Sequence, residues 1–273
     1  MRPRASLVKL AQYLLIVMMV TAIVTMRGPA RADDQTDQEK QAGQQLFDQL
    51  KSQGEIVKSS PLYDILNPIA ANITKVIQPQ YPLPIHFYIV HENQPNAFAA
   101  PGGNIYVVDA LFYFVKNAQE LEGTICHETS HLIHHDSMAL MKKDQAATER
   151  AVAATILLGP SIGTALAMTA IARLQSLSYS REAEEHADLT GSDTCAKAGY
   201  NPWGLVWLFQ DFSNANLKTP PEILSDHPND QHRIDTLEAH FKSNPTVFGQ
   251  FNPDPKSATP LVLPKSEAEE FLR

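Results

Sequence analysis

The chain has 273 residues, 44% hydrophobic and 19% charged, which is enough apolar material for a sizeable core and excludes a wholly disordered chain. Its two cysteines exclude a disulfide scaffold and a four-cysteine zinc module. The net charge is -8, and without the five basic residues of the first 32 it becomes -13, from 17 basic against 30 acidic side chains; an acidic body argues against nucleic acid as a partner, because phosphate contacts need a basic face.

Residues 1–32 read as a signal peptide. Arg2, Arg4 and Lys9 form a basic start, seventeen uncharged residues follow over 10–26, and Ala30-Arg31-Ala32 fits the small-x-small cleavage pattern. Cleavage after Ala32 would place the protein outside the cytoplasm, in a bacterium the periplasm. An uncleaved N-terminal membrane anchor is the minority alternative, since seventeen residues is the short limit for a span.

Two amphipathic helices are predicted next, one within 33–58 and one over 61–77. The β-branched and aromatic run 85–90 predicts a strand, 96–100 is extended, Pro101-Gly102-Gly103 turns, and 104–108 is a second strand. Asn117 and Glu120 resemble a capping box opening a helix that runs to about Lys143. Residues 151–172 are uncharged for 22 positions, broken by Gly159-Pro160. They read as a helical hairpin packed over the neighbouring helices, with membrane-surface contact as the lesser alternative. Further helices are predicted over 175–197, from 202 to 212, and up to 241; Trp203 and Trp207 belong to the core. The segment 244–273 carries five prolines between 245 and 264 and is expected to be extended or loosely packed. The fold class is mainly α with a small β-sheet, α+β, in one domain over 33–243.

His127-Glu128-Thr129-Ser130-His131 sits inside the predicted 118–143 helix. Residues four apart share a helix face, so His127 and His131 can offer two imidazoles to one ion with Glu128 beside them as a general base. The plain reading of the same run is a polar helix face with satisfied histidines. A catalytic zinc also needs a third protein ligand and an open site for water. A third histidine ten residues after the first is not available, because that position is Ser137. The run 180–188 offers Glu182, Glu184 and Glu185 instead, on what could equally be a solvated acidic helix. Asp188, one turn from Glu184, suits the acceptor of a metal-bound imidazole N–H. His135 lies too far along the helix to share the ion, and a supporting or structural role behind the metal is expected. Cys126 and Cys195 are expected as two separate buried thiols. Along one continuous helix Cys195 would stand roughly 16 Å from Glu184, beyond the 7 Å or so that a disulfide spans.

These pieces resemble the HtpX and CAAX-prenyl-protease family of zinc metallopeptidases, which are gluzincins, and within it the periplasmic BepA-like branch. The resemblance is carried by residues 96–103, Glu120-Leu121, 127–131, Ser180-Arg181 with Glu184, Ala187 and Asp188, then Ala198-Gly199-Tyr200 with Pro202, and His227-Pro228 followed by Arg233-Ile234. It covers about residues 85–240 in the family's order. It implies a zincin-like metallopeptidase domain in which two helices bear the ligands. One Zn2+ would be bound by His127, His131 and Glu184, with Glu128 as the base. Asp188 would orient a ligand, and His227 and Arg233 would lie at the active site. An extended peptide would pair with the strand bearing Asn96, Ala97, Phe98 and Ala99. Only 33 proline-rich, unrepeated residues follow position 240, so the C-terminal helical repeats of that branch are expected to be absent. The expected function is a zinc endopeptidase of the bacterial envelope, working in protein quality control on unfolded or misfolded envelope proteins or peptides. The alternative is a chaperone-like binding protein whose zinc site is closed and autoinhibited.

Overall fold

A computed structural model describes residues 32–143, 179–214, 227 and 231–264. The expected leader up to residue 31, the 151–172 stretch and Pro228 lie outside them. Internal contacts divide the chain into residues 1–38 and 39–273. Of the first unit only the helical start at 32–38 is described.

Helix α1 is Ala32–Gln53 and α2 is Leu62–Ile77. In α2 the buried residues Leu62, Leu66, Ile69, Ile73 and Ile77 recur every three or four positions, the spacing of one helix face. Strands β1 (His86–Val90), β2 (Ala97–Ala100) and β3 (Asn104–Val108) form a sheet in the order β1-β3-β2, with β1 parallel and β2 antiparallel to the central β3. Side chains alternate across a strand, so β3 feeds two cores. Ile105 and Val107 join α2 and the later helices, whereas Tyr106 and Val108 meet Leu46 and Leu50 of α1. The turn between β2 and β3 needs Gly103, whose φ is 88° and where a Cβ would stand 2.0 Å from the Pro84 carbonyl oxygen.

Helix α3 (Asp109–Phe114) leads into α4 (Ala118–Ile133). Asn117 caps α4 by accepting from the Glu120 N–H, while the Glu120 carboxylate accepts from the Lys116 N–H. The predicted 118–143 helix is interrupted. It stops at Ile133, passes through His134 and His135, the latter left-handed at φ 57°, and resumes over 136–143. Helix α5 runs Arg181–Ala198, starting later than the predicted Gln175 because Ser180 caps it by accepting from the Ala183 N–H. Gly199 ends α5 at φ 85°. Helices α6 (Trp203–Asn214), α7 (Gln231–Ser243) and α8 (Pro245–Phe248) complete the body. Trp207 is buried, and Trp203 is partly buried against the main core. The stretch 244–264 is α8 followed by mostly irregular chain, and it is held at several points: Phe248 is buried, the Trp207 indole donates to the Pro253 carbonyl, and the Ala118 N–H donates to the Thr259 carbonyl.

Cys126 and Cys195 form a disulfide, with Cα atoms 5.7 Å apart, and are not the separate thiols expected from the sequence. A long glutamate reaching a metal ligand does not fix where two helix backbones cross. Helix α5 lies antiparallel along α4: Glu184 faces His131, Gly191 faces Cys126 and His127, and Cys195 faces Glu122. A Cβ on Gly191 would stand 2.9 Å from the His127 Cα, so the backbones meet there and Cys195, one turn on, falls beside Cys126. The whole is mainly helical with one small three-stranded sheet, the α+β architecture expected, and no helix among the described residues is long and apolar enough to cross a membrane.

Candidate metal centre

Helix α4 presents His127 and His131 on one face, and their Nε2 atoms stand 3.1 Å apart. Glu184, from the first turn of α5, brings Oε2 within 3.5 Å of His127 Nε2 and Oε1 within 3.6 Å of His131 Nε2. His227 inserts Nδ1 at 3.3 Å from His127 Nε2 and 2.9 Å from Glu184 Oε1. All four residues are buried, and one ligand atom from each lies within 4.8 Å of the others. A tetrahedral ion with bonds of about 2.0–2.1 Å holds its ligand atoms roughly 3.3–3.4 Å apart, and the spacings here bracket that value. Three imidazole nitrogens turned toward one another and a carboxylate are a donor set that a cation completes.

Around these donors stands a layer of carboxylates. Asp188 Oδ1 lies 3.0 Å from His127 Nδ1, and Asp136 Oδ2 lies 2.8 Å from His131 Nδ1. Such partners fix the ring and raise its basicity. Burial works to depress the His127 pKa, but Asp188 and Glu184 outweigh it and hold it up to about 9. His131 is raised in the same way, against burial, by Asp136 and Glu184. Burial would lift the Glu184 and Asp188 carboxyls; His227, His127 and His131 hold Glu184 well below its ordinary value, and Arg233 and His127 do so for Asp188.

Glu128 is fully buried and touches two elements. Its Oε2 accepts from the Ala99 N–H at 3.0 Å, and its Oε1 accepts no hydrogen bond among the described residues and stands 3.3 Å from His227 Nε2. A buried carboxylate oxygen facing the gathered donors is in position to take a proton from a water there.

The other expected residues are distributed as follows. Arg233 donates through Nε and Nη2 to Asp188, both at 2.7 Å, and its Nη1 lies 2.8 Å from Glu184 Oε2. Its guanidinium therefore braces two carboxylates. Strand β2 is at the sheet edge. The outward groups of Ala99 are nonetheless engaged, its N–H by Glu128 and its carbonyl by the Ser137 hydroxyl at 2.6 Å. The Asn96 side chain accepts from the Ala97 N–H, and Phe98 stacks on Tyr106. His135 does not stand behind the metal donors: the left-handed turn carries it outward to Glu39 of α1, at 2.8 Å, beside Tyr81.

That turn also explains the residue that sequence reasoning missed. Asp136, five positions after His131, would point away on an unbroken helix; the break at His134 and His135 returns it to the His131 ring. Tyr179 was missed as well. Its ring stacks on His131 with centroids 4.0 Å apart, and its hydroxyl meets Ser137 at 3.1 Å. It precedes the α5 cap by one residue, and the sequence carries no signal of its partner.

The model of peptidase family M48 matches residues 64–240. The chain is 27% identical over 258 residues to a beta-barrel assembly-enhancing protease of Yersinia pestis, covering 84% of this chain and 52% of that protein. It is 28% identical over 207 residues to the protein of the same name in Escherichia coli K12, covering 72% and 42%. To the mitochondrial metalloendopeptidase OMA1 of Schizosaccharomyces pombe it is 24% identical over 156 residues, covering 55% and 45%. The chain thus spans about half the length of the curated relatives it matches. The match runs from α2 through α7 and includes both ligand-bearing helices and the edge strand, so the chain belongs to peptidase family M48.

Proposed function

We propose that this chain is a zinc-dependent endopeptidase of the bacterial envelope that cuts unfolded or misfolded envelope proteins. The observation that carries this reading is the buried cluster of His127, His131, Glu184 and His227 with Glu128 beside it, in a chain of family M48. Zinc, when bound, supplies a Lewis acid for the scissile carbonyl and acidifies a water. His127, His131 and Glu184 hold it, with Asp188 and Asp136 fixing the two imidazoles. Glu128 takes the proton of the attacking water at Oε1 and gives it to the leaving amine. A peptide strand pairs along β2 once the Ala99 backbone is released from Glu128 and Ser137.

A catalytic site of this kind keeps one position for water, and His227 fills the fourth donor position here. We read this arrangement as the latent form, in which the imidazole excludes water until it swings away. Export after Ala32 agrees with the Cys126–Cys195 disulfide, since such bonds persist in oxidising compartments. Quality-control substrates are proposed because the relatives of Yersinia pestis and Escherichia coli are named for assisting barrel assembly.

The test is cleavage of unfolded casein by the zinc-loaded protein, with and without chelator, beside Glu128→Gln. The Gln variant should keep its zinc and lose activity by about 10²–10⁴-fold. A parent that binds casein in the presence of zinc and never cuts it would support the chaperone-like alternative. His227→Ala should retain zinc and change the cleavage rate, upward if the imidazole is inhibitory; unchanged kinetics would remove His227 from the site.

A further inference from the structure

Tyr179 stands at the metal centre and has no part in the mechanism above. Its ring lies over the His131 imidazole, with 10° between the planes and centroids 4.0 Å apart, and it borders the His227 imidazole at 5.3 Å. Local structure brings it there. Ser180 caps α5 by accepting from the Ala183 N–H, which makes Tyr179 the residue before the cap and Glu184 the fourth helical position. Those two positions face each other at a capped helix start, so one cap delivers a metal donor and an aromatic ring to the same side. The hydroxyl end of Tyr179 is anchored elsewhere. Ser137 has one hydroxyl proton and gives it to the Ala99 carbonyl at 2.6 Å. The Tyr179 hydroxyl, whose pKa burial pushes up, therefore donates to Ser137 Oγ at 3.1 Å.

We infer that Tyr179 is a positioning residue of the metal centre: its ring sets the tilt of the His131 imidazole, and Ser137 ties that ring to the edge strand β2. The inference rests on the zinc-binding reading of the site. His131 is held at both nitrogens, Nδ1 by Asp136 at 2.8 Å and Nε2 among the gathered donors, 3.1 Å from His127 Nε2. Both contacts lie in the ring plane and leave the imidazole free to tilt about the line that joins its nitrogens. A contact on the ring face removes that freedom, and Tyr179 supplies it. The face is also chemically suited. A metal at Nε2 draws electrons from the imidazole and gives it cationic character, and the face of an aromatic ring attracts positive charge. An aliphatic side chain of similar bulk would fill the space and lack that attraction.

Zinc affinity is measured by competition with a chelating dye, and cobalt(II) is loaded in place of zinc for its visible spectrum, which reports ligand geometry. Tyr179→Phe keeps the ring and loses the tie, and should bind zinc within about 5-fold of the parent. Tyr179→Leu keeps bulk without an aromatic face. It should bind zinc about 5–30-fold more weakly than Tyr179→Phe, the worth of one such ring contact. The cobalt bands of Tyr179→Leu should shift, while those of Tyr179→Phe stay with the parent. Ser137→Ala cuts the same tie as Tyr179→Phe, so the two together should weaken zinc no more than either alone. Each variant is checked by far-ultraviolet circular dichroism, and Tyr179→Ile replaces Tyr179→Leu should the latter fail to fold. A parent that binds no zinc counts against the zinc reading itself. With a parent that binds zinc, equal affinities of Tyr179→Phe and Tyr179→Leu, unshifted cobalt bands in Tyr179→Leu, or an additive loss in the double variant overturns the positioning role.

Discussion

Removing the Cys126–Cys195 disulfide probes how the two ligand-bearing helices are held together. The cysteines are 69 positions apart, and the loop they close includes the whole connection between α4 and α5. Closing a loop of that length removes chain entropy from the unfolded state, and the usual relation gives about 4 kcal/mol. For a chain of this size each kcal/mol moves the melting temperature by roughly 2–4 °C, so Cys126→Ser with Cys195→Ser should melt about 8–16 °C below the parent. Parent and double variant are compared by circular dichroism melting, each with zinc and with chelator, and the parent is repeated with dithiothreitol. Reduction should bring the parent to the variant's behaviour. The bond lies one residue before His127 and beside the close contact of Gly191 with the His127 backbone. Its loss should therefore also weaken zinc binding, though less than loss of a ligand would. A drop below about 1 kcal/mol, or two thiols titrating in the denatured, unreduced parent, would refute this account.

Four further substitutions test the structure. Gly191→Ala places a methyl group 2.9 Å from the His127 Cα and 3.0 Å from the Cys126 carbonyl oxygen, backbone atoms that cannot turn aside. It should destabilise by about 1–3 kcal/mol and loosen zinc, as read by melting and by competition with a chelating dye; parent-like values for both would disprove the close contact. Asp136→Ala should weaken zinc by about 10–100-fold, as loss of an imidazole's outer partner does, whereas His135→Ala should leave zinc affinity unchanged in the same titration. Burial pushes the Glu122 carboxyl up from 4.5 to about 7. Its folded pKa exceeds its unfolded one, so the stability tied to its proton is complete below pH 4.5 and is lost as pH rises toward 7. Glu122→Gln should therefore stabilise by about 1–2 kcal/mol at pH 8, allowing for partial exposure, and by little at pH 4, as measured by urea midpoints.

The sequence disclosed those features that depend on local spacing. His127 and His131 are four apart on one helix and were legible at once; β1 and β3 announced themselves by β-branched and aromatic runs, whereas 96–100 read only as extended, and Asn117 and Glu120 marked the start of α4. Glu184 was one of three candidate carboxylates until the resemblance singled it out, and His227 rested on the resemblance alone, because a residue a hundred positions from His127 carries no spacing signal. What stayed hidden depended on a backbone event or on distance. The left-handed His135 exchanged the expected positions of His135 and Asp136, and no residue type at that point forces such a turn. The disulfide was hidden because it depends on the antiparallel register of α5 along α4, which the small residue Gly191 permits. The Glu39–His135 pair joins elements 96 positions apart and could not be read locally.

The site is a junction of rigid parts, and the rigidity has a direction. Helices α4 and α5 are fixed to each other by backbone contact at Gly191 and by the disulfide, and the Arg233 guanidinium of α7 braces Asp188 and Glu184 of α5. Three of the four donors of the metal centre, His127, His131 and Glu184, lie on this braced pair. The fourth, His227, belongs to neither helix and bears on Glu184 at 2.9 Å and on Glu128 at 3.3 Å. Motion that left the braced pair intact would therefore have to involve His227, and its departure would keep three donors in place while freeing the fourth position and the face of Glu128 Oε1 together. The other restraint on Glu128 is its bond to the Ala99 N–H, which a peptide strand pairing along β2 would compete for. Under the proposed function, pairing of a peptide along β2 and release of Glu128 Oε2 would be coupled through one backbone amide.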